Sequence, residues 1–412
     1  MNSWAVGDVS DVSEGSGLRE PGTAEVPDPP ETPDLDDWHH LLLRMAGALP
    51  DEAISDARAW LAEGAVQDVA SVVAFAAVAR QTPVWDLDTL VLLDELERAG
   101  DQVEALSDLV VTQDVADASG AWAFAPVRVR TEVEAETETP VLDLTAVRPD
   151  PDDEDDGDDG ADRIDRAAVQ AVQDESEVVA LWRAWRVPAA AHARFGPVSP
   201  DSRRVYLVAA RVSADGALAG LAARLQLRLL AAGEDDPQVE VWPEGGGLPP
   251  YQSAAWLRSA LLWAREPGPV LRLARSFDAV RSQEGPQFDP GHPRIEETAE
   301  IARLLEYLGG AALVLASDVT MPDVLEPGSG AVVPLSLRTD GTWIWSDSVA
   351  YYLERYGLSP EPELWEHLRA QAGGCPPVSA VALHRAWCLL VQGRDTTDAE
   401  VVWQVPVPSG VP

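Results

Sequence analysis

VYLVAARV (Val205–Val212), LAGLAARLQLRLLA (Leu218–Ala231) and VEVW (Val239–Trp242) follow one another with short polar joints between them. The first run is apolar along nearly its whole length and rich in β-branched residues, as a strand covered on both faces must be. The second repeats its leucines at helical spacing and is closed by Gly233, a residue that tolerates the left-handed backbone after a helix. The third is a short strand. Strand, helix, strand in succession predicts a layered sheet with helices packed on it.

Working outward, Tyr251–Ala264 reads as a helix, with Trp256, Leu257, Ala260, Leu261 and Trp263 on or near one face. Val270–Arg275 reads as a further strand. Upstream, Val178–Trp185 (VVALWRAW) is an apolar run whose periodicity fits either element. Further on, Glu296–Leu308 is an amphipathic helix ending at Gly309-Gly310, and Ala312–Ala316 is a buried strand. Val332–Leu337 and Thr342–Trp345 flank Thr339-Asp340-Gly341. Asp-Gly between β-prone runs signals a hairpin, because the turn needs positive φ. Ser346 or Asp347 then caps a helix through Tyr356 that Gly357 ends, and two more helices follow, Pro360–Ala370 and Ser379–Val391.

The N-terminal part differs in texture. Helical spacing recurs from Leu35 to about Leu109, in segments broken near Pro50, Gly64, Thr82-Pro83 and Gly100, with Gln102–Leu109 as one more candidate. The segment Val66–Ala79 is apolar almost all round and is expected to be the buried member of a helical bundle. The expected order is therefore a disordered tail (1–34), a helical domain (35–112), an extended segment and acidic linker (113–165), an α/β domain (166–280), a second α/β domain carrying the hairpin (281–403) and a tail (404–412). The fold class is mixed α+β or α/β.

Charge restricts function. The chain carries 70 Asp and Glu against 30 basic residues, all of them arginine, for a net charge of -40. Nucleic-acid binding rests on cations that displace counterions from phosphates, so direct binding to nucleic acid is not expected. A basic protein is the expected partner. Nine of the thirteen residues in Asp150–Asp162 are acidic; like charges at that density extend a chain. The start of the chain lacks the basic-then-apolar pattern of a signal peptide, and no apolar run reaches the ~20 residues of a membrane span. A cytoplasmic location is expected, without membrane insertion.

No motif for a cofactor or a catalytic nucleophile occurs, and no cofactor is expected. The acidic run fails the calcium-loop pattern in each frame: from Asp152 the sixth position is Gly157 but the twelfth is Arg163. Adjacent His39 and His40 point about 100° apart on a helix. His384 and Cys388, at i and i+4, are candidate metal ligands, with Cys375 near them and His367 as a further contributor; an ordinary core face explains the same spacing. Asp289, His292 and Glu296 gather at a helix start, as general acid–base groups do and as helix-opening loops also do. Trp343, Trp345, Tyr351 and Tyr352 are candidate binding residues, since Trp and Tyr anchor interfaces. Trp343 and Trp345 share one face of a strand and Ile344 takes the other, so the pair serves either a core or a surface patch.

The string TDGTWIW followed by YYLERYG, within Pro334–Leu358, resembles a strand–turn–strand–helix element of immunity-type proteins associated with bacterial polymorphic toxins. Together with RRVYLVAAR (Arg203–Arg211), it also resembles uncharacterised conserved actinobacterial proteins. The resemblance implies an immunity- or inhibitor-like interaction module and brings no catalytic residue with it. Two other readings stay open: an enzyme with its site near Asp289, His292 and Glu296, and an adaptor whose two halves each hold a partner.

Overall fold

A computed structural model describes residues 34–100, 108–115, 117–145, 162–189, 202–212, 214–281, 284–371 and 373–392. The expected tails apart from Asp34, the acidic run Asp150–Ala161 and most of the candidate helix at Gln102–Leu109 lie outside these residues. The expectation of a mixed α+β fold holds.

Four helices come first: α1 (Leu35–Met45), α2 (Asp51–Ala62), α3 (Val66–Arg80) and α4 (Asp86–Ala99). Between α3 and α4, β1 (Val84–Trp85) pairs in parallel with β2 (Val111–Thr112). The segment expected to be extended supplies β3 (Trp122–Ala125), the short α5 (Glu132–Thr137) and β4 (Leu142–Asp143). Next come α6 (Arg163–Gln173), β5 (Val178–Pro188), β6 (Arg203–Ala210), α7 (Ala217–Ala231), β7 (Gln238–Pro243), α8 (Pro250–Trp256) and β8 (Ala260–Ala264). The first sheet runs β4-β8-β5-β6-β7, with β3 beside the far end of β5.

VVALWRAW is thus a strand, and the longest described, at 11 residues with ten buried. Both of its faces are covered, so its apolar pattern is continuous rather than alternating. The expected helix at Tyr251–Ala264 is corrected: it ends at Trp256, and Ala260–Ala264 is a strand between β4 and β5. Arg258 holds the break by donating to the carbonyls of Phe124 and Ala135. A short apolar run fits either period, and the open sheet position decides it.

One face of the sheet packs on α6 and α7. The other meets α8 and α1, with Trp182, Leu207 and Trp242 facing Leu43, Ala46 and Tyr251. Helix α1 is buried nearly all round. Trp38, Leu41 and Leu42 serve the bundle core while Leu43 and Ala46 serve the sheet. Helix α2 packs along α7, and Arg58 reaches Glu240 on the edge strand β7. The four helices therefore join the sheet in one compact unit rather than forming a domain apart.

The second half adds β9 (Arg272–Leu273), β10 (Ala279–Arg281), β11 (Gly285–Gln287), α9 (Thr298–Gly310), β12 (Ala312–Leu315), β13 (Thr320–Pro322), β14 (Ala331–Pro334), β15 (Leu337–Thr339), β16 (Trp343–Ser346), α10 (Asp347–Tyr356), α11 (Pro362–Ala370) and α12 (Ala380–Val391). A hairpin does turn at Asp340-Gly341, with Leu337 paired to Ser346 and Gly341 at φ +88°, but the expected strand Val332–Leu337 divides: its first part, β14, pairs with β13 in a sheet of its own, and only β15 enters the hairpin. Its strands sit in a second sheet, β12-β15-β16-β9. Helices α9, α10 and α11 cover one face of it. Helix α12 covers the other with Ala386, Leu389 and Leu390, and turns Val381 and His384 toward the first sheet. It is a layer shared by both sheets. Among the described residues no helix is long and apolar enough to cross a membrane.

Candidate functional site

Strand polarity locates a cleft. Strand β5 runs antiparallel to β6 and β8, while β7 is parallel to β6 and β4 to β8. Hence β4, β6, β7 and β8 all end at one rim of the sheet. Arg211 follows β6, Glu244 follows β7, and Arg265 and Glu266 follow β8. Crevices outside the carboxyl ends of strands are where α/β sheets hold ligands. Here the first turn of α12 and the hairpin glycine Gly341 close over that rim, enclosing a cavity of about 130 Å³.

The groups lining the cleft have different commitments. Arg385 is braced by Asp143 at 2.8 Å, by Thr145 at 3.0 Å and by the Pro267 carbonyl. Gly268, at φ +69°, makes room for it: a Cβ there would lie 2.7 Å from the guanidinium. Arg211 is paired with Glu244. Arg265 donates to the Val178 carbonyl at 2.7 Å and the Glu175 carbonyl at 2.6 Å. No sequence motif marks this rim, because its residues come from Val179 to Arg385.

The other candidates resolve differently. Asp289, His292 and Glu296 do not converge. His292 places Nδ1 at 2.9 Å from the Asp278 carboxylate and Nε2 at 3.0 Å from the Ser359 carbonyl. Both ring nitrogens are occupied. Asp289 offers Asp278 its backbone N–H, and Glu296 points into solvent. His292 thus ties a loop to its neighbours, and Asp278, fourteen residues upstream, is the partner that local reading missed.

The surface alternative for Trp343, Trp345 and Tyr352 is corrected. All three are buried, and the two tryptophans fill the core beneath α9–α11, with Ile344 on the opposite face. Only Tyr351 keeps an accessible edge, and its hydroxyl donates to Asp323 at 2.9 Å. Burial would raise the Asp323 carboxyl, but hydrogen bonds from Tyr356, the Leu325 amide and Tyr351 outweigh it and hold the group below the usual carboxylate range.

His384 and Cys388 do face each other, with Nδ1 3.6 Å from Sγ. They lie in the shared layer, His384 between Trp182 and Trp256 with Nε2 against Ser259. Burial drives the His384 pKa down to about 4 and the Cys388 thiol up to about 12. Cys375 and His367 sit elsewhere, beside the outer helices. There His367 Nε2 lies 2.6 Å from Asp340, whose other oxygen accepts the Thr342 and Trp343 amides of the hairpin turn. The four residues therefore belong to two places and form no common ligand set. Among the described residues, the one set of three ligating side chains close enough to share an ion is Asp34, Asp36 and Asp215; it caps α1 and the Gly216 amide.

No protein-family model matches the chain, and no curated protein or solved structure matches it.

Proposed function

We propose that this protein is a non-enzymatic interaction module whose anionic exterior captures a basic protein partner in the cytoplasm. One observation carries the reading: four buried arginines are spent on carboxylate contacts, while the outer helices present unpaired carboxylates to solvent. Arg58, Arg183, Arg186 and Arg204 are buried against Glu240, Asp165, Asp51 and Asp162. On the outer layer α9–α11, Glu297, Glu306, Glu354, Glu363 and Glu366 are exposed. The bases of that layer are engaged: Arg355 with Glu326, Arg369 with Glu300, and Arg303 with carbonyls of α11. A surface of one sign speeds encounter with the opposite sign and repels polyanions. The immunity-type resemblance of Pro334–Leu358 favours a toxin-like partner.

The test is capture on the immobilised chain across a salt series. The expected result is one basic protein retained at low salt, its association rate falling as the Debye length shortens from ~30 Å toward 8 Å. Retention of nothing, or binding indifferent to salt, refutes the proposal.

A further inference from the structure

We infer that the cleft at the carboxyl ends of β6, β7 and β8 binds a short aliphatic monocarboxylate. The inference does not depend on the interaction role. A cavity of about 130 Å³ approaches the ~150 Å³ that accommodates a benzene ring, so it admits about six non-hydrogen atoms. The inner lining is apolar: Val179, Leu271, Val381 and Ala382. Val179 and Val381 are buried while Arg211, Arg265 and Glu266 are exposed, which puts the charges at the mouth.

Three cations line the space, and two are spent. Arg385 serves Asp143 and Arg211 serves Glu244. Arg265 is bonded only to uncharged carbonyls and makes no ion pair among the described residues. It is the positive charge left to meet an anion, and a guanidinium matches a carboxylate geometrically. Glu244 and Glu266 share the mouth. They oppose a second negative charge, so a phosphate, which carries more than one charge at neutral pH, is disfavoured against a monocarboxylate. An aliphatic tail on the inner lining with the carboxylate at Arg265 satisfies both zones.

The probes are sodium butyrate, sodium phosphate and sodium chloride at matched ionic strength, read by saturation-transfer NMR and thermal shift on the full chain. Butyrate should give a saturable response in the millimolar range, and phosphate and chloride none. Ala382→Leu, which fills the cleft from α12, should abolish the response while melting normally without ligand. Arg265→Gln should weaken it about ten-fold, the loss of one charged hydrogen bond. The inference is overturned if butyrate does not saturate, if phosphate competes equally, or if Ala382→Leu responds like the parent.

Discussion

Replacing Arg58 by methionine removes one half of an ion pair that no water reaches. Arg58 and Glu240 have side chains 0% and 1% exposed, and Nη2 lies 2.6 Å from Oε2. Gln252 donates to the same oxygen at 2.9 Å. In Arg58→Met, Glu240 keeps only that amide and remains a buried charge beneath α2. Breaking a buried pair from one side costs about 3–5 kcal/mol, and that range is the expected loss. The pair is itself imperfectly satisfied: Arg58 Nε and Nη1, Glu240 Oε1 and Gln252 Oε1 have no protein partner. Its Coulomb attraction therefore repays desolvation poorly. Arg58→Met/Glu240→Leu should recover to parental stability or above, since hydrophobic replacement of a buried pair is often neutral or stabilising. Guanidinium unfolding followed by the fluorescence of the 15 tryptophans reads both variants. A single-variant loss below ~1 kcal/mol, or a double variant as unstable as the single, refutes the reasoning.

Two further outcomes follow from burial and backbone geometry. His39 and His384 have folded pKa values lowered to about 4, chiefly by desolvation, so between pH 6.5 and 4 the unfolded chain takes up protons that the folded chain refuses. Stability should fall as pH falls through that window, by about 1.4 kcal/mol per pH unit for each histidine. Asp165 and Glu234, raised by burial, offset part of this at the acid end. Urea midpoints at pH 7, 6 and 5 measure it; His384→Gln should reduce the slope, and a flat profile contradicts the burial argument. Gly357→Ala should destabilise by more than about 1 kcal/mol, because Gly357 holds φ +66° and an added Cβ would lie 2.9 Å from the Ile295 carbonyl oxygen. Thermal unfolding tests this, and an unchanged midpoint would show that the loop at Ile295 yields freely.

Local patterns carried much of the fold. VYLVAARV and the Asp-Gly hairpin were legible because burial on both faces and a positive φ leave marks within a few residues. The division of Tyr251–Ala264 into helix and strand was not, since leucine and tryptophan suit either element and the choice rests on an open place between β4 and β5. Nor was the docking of α1. Helical spacing marks it as amphipathic, but not that six of its side chains are buried or that two cores claim them. The cleft is less legible still. Each lining residue is ordinary where it stands, and only strand polarity brings Arg211, Glu244 and Arg265 to one rim. The burial of Trp343 and Trp345 was half visible: alternation placed them on one face, and only α9–α11 decide that this face is inside.

Helix α12 has a consequence for synthesis. It lies between both sheets, yet it is the last element the ribosome makes among those described. Until residues 380–391 emerge, the second sheet presents an apolar face that no earlier described helix covers, and the first sheet, already backed by α1 and α8, lacks the Val381 and His384 contacts beside Trp182. The two sheets therefore acquire their common interior in a single late step, and the growing chain must stay soluble through that interval with that face open. An exterior of one charge sign, which keeps neighbouring nascent chains apart, suits a molecule assembled in that order.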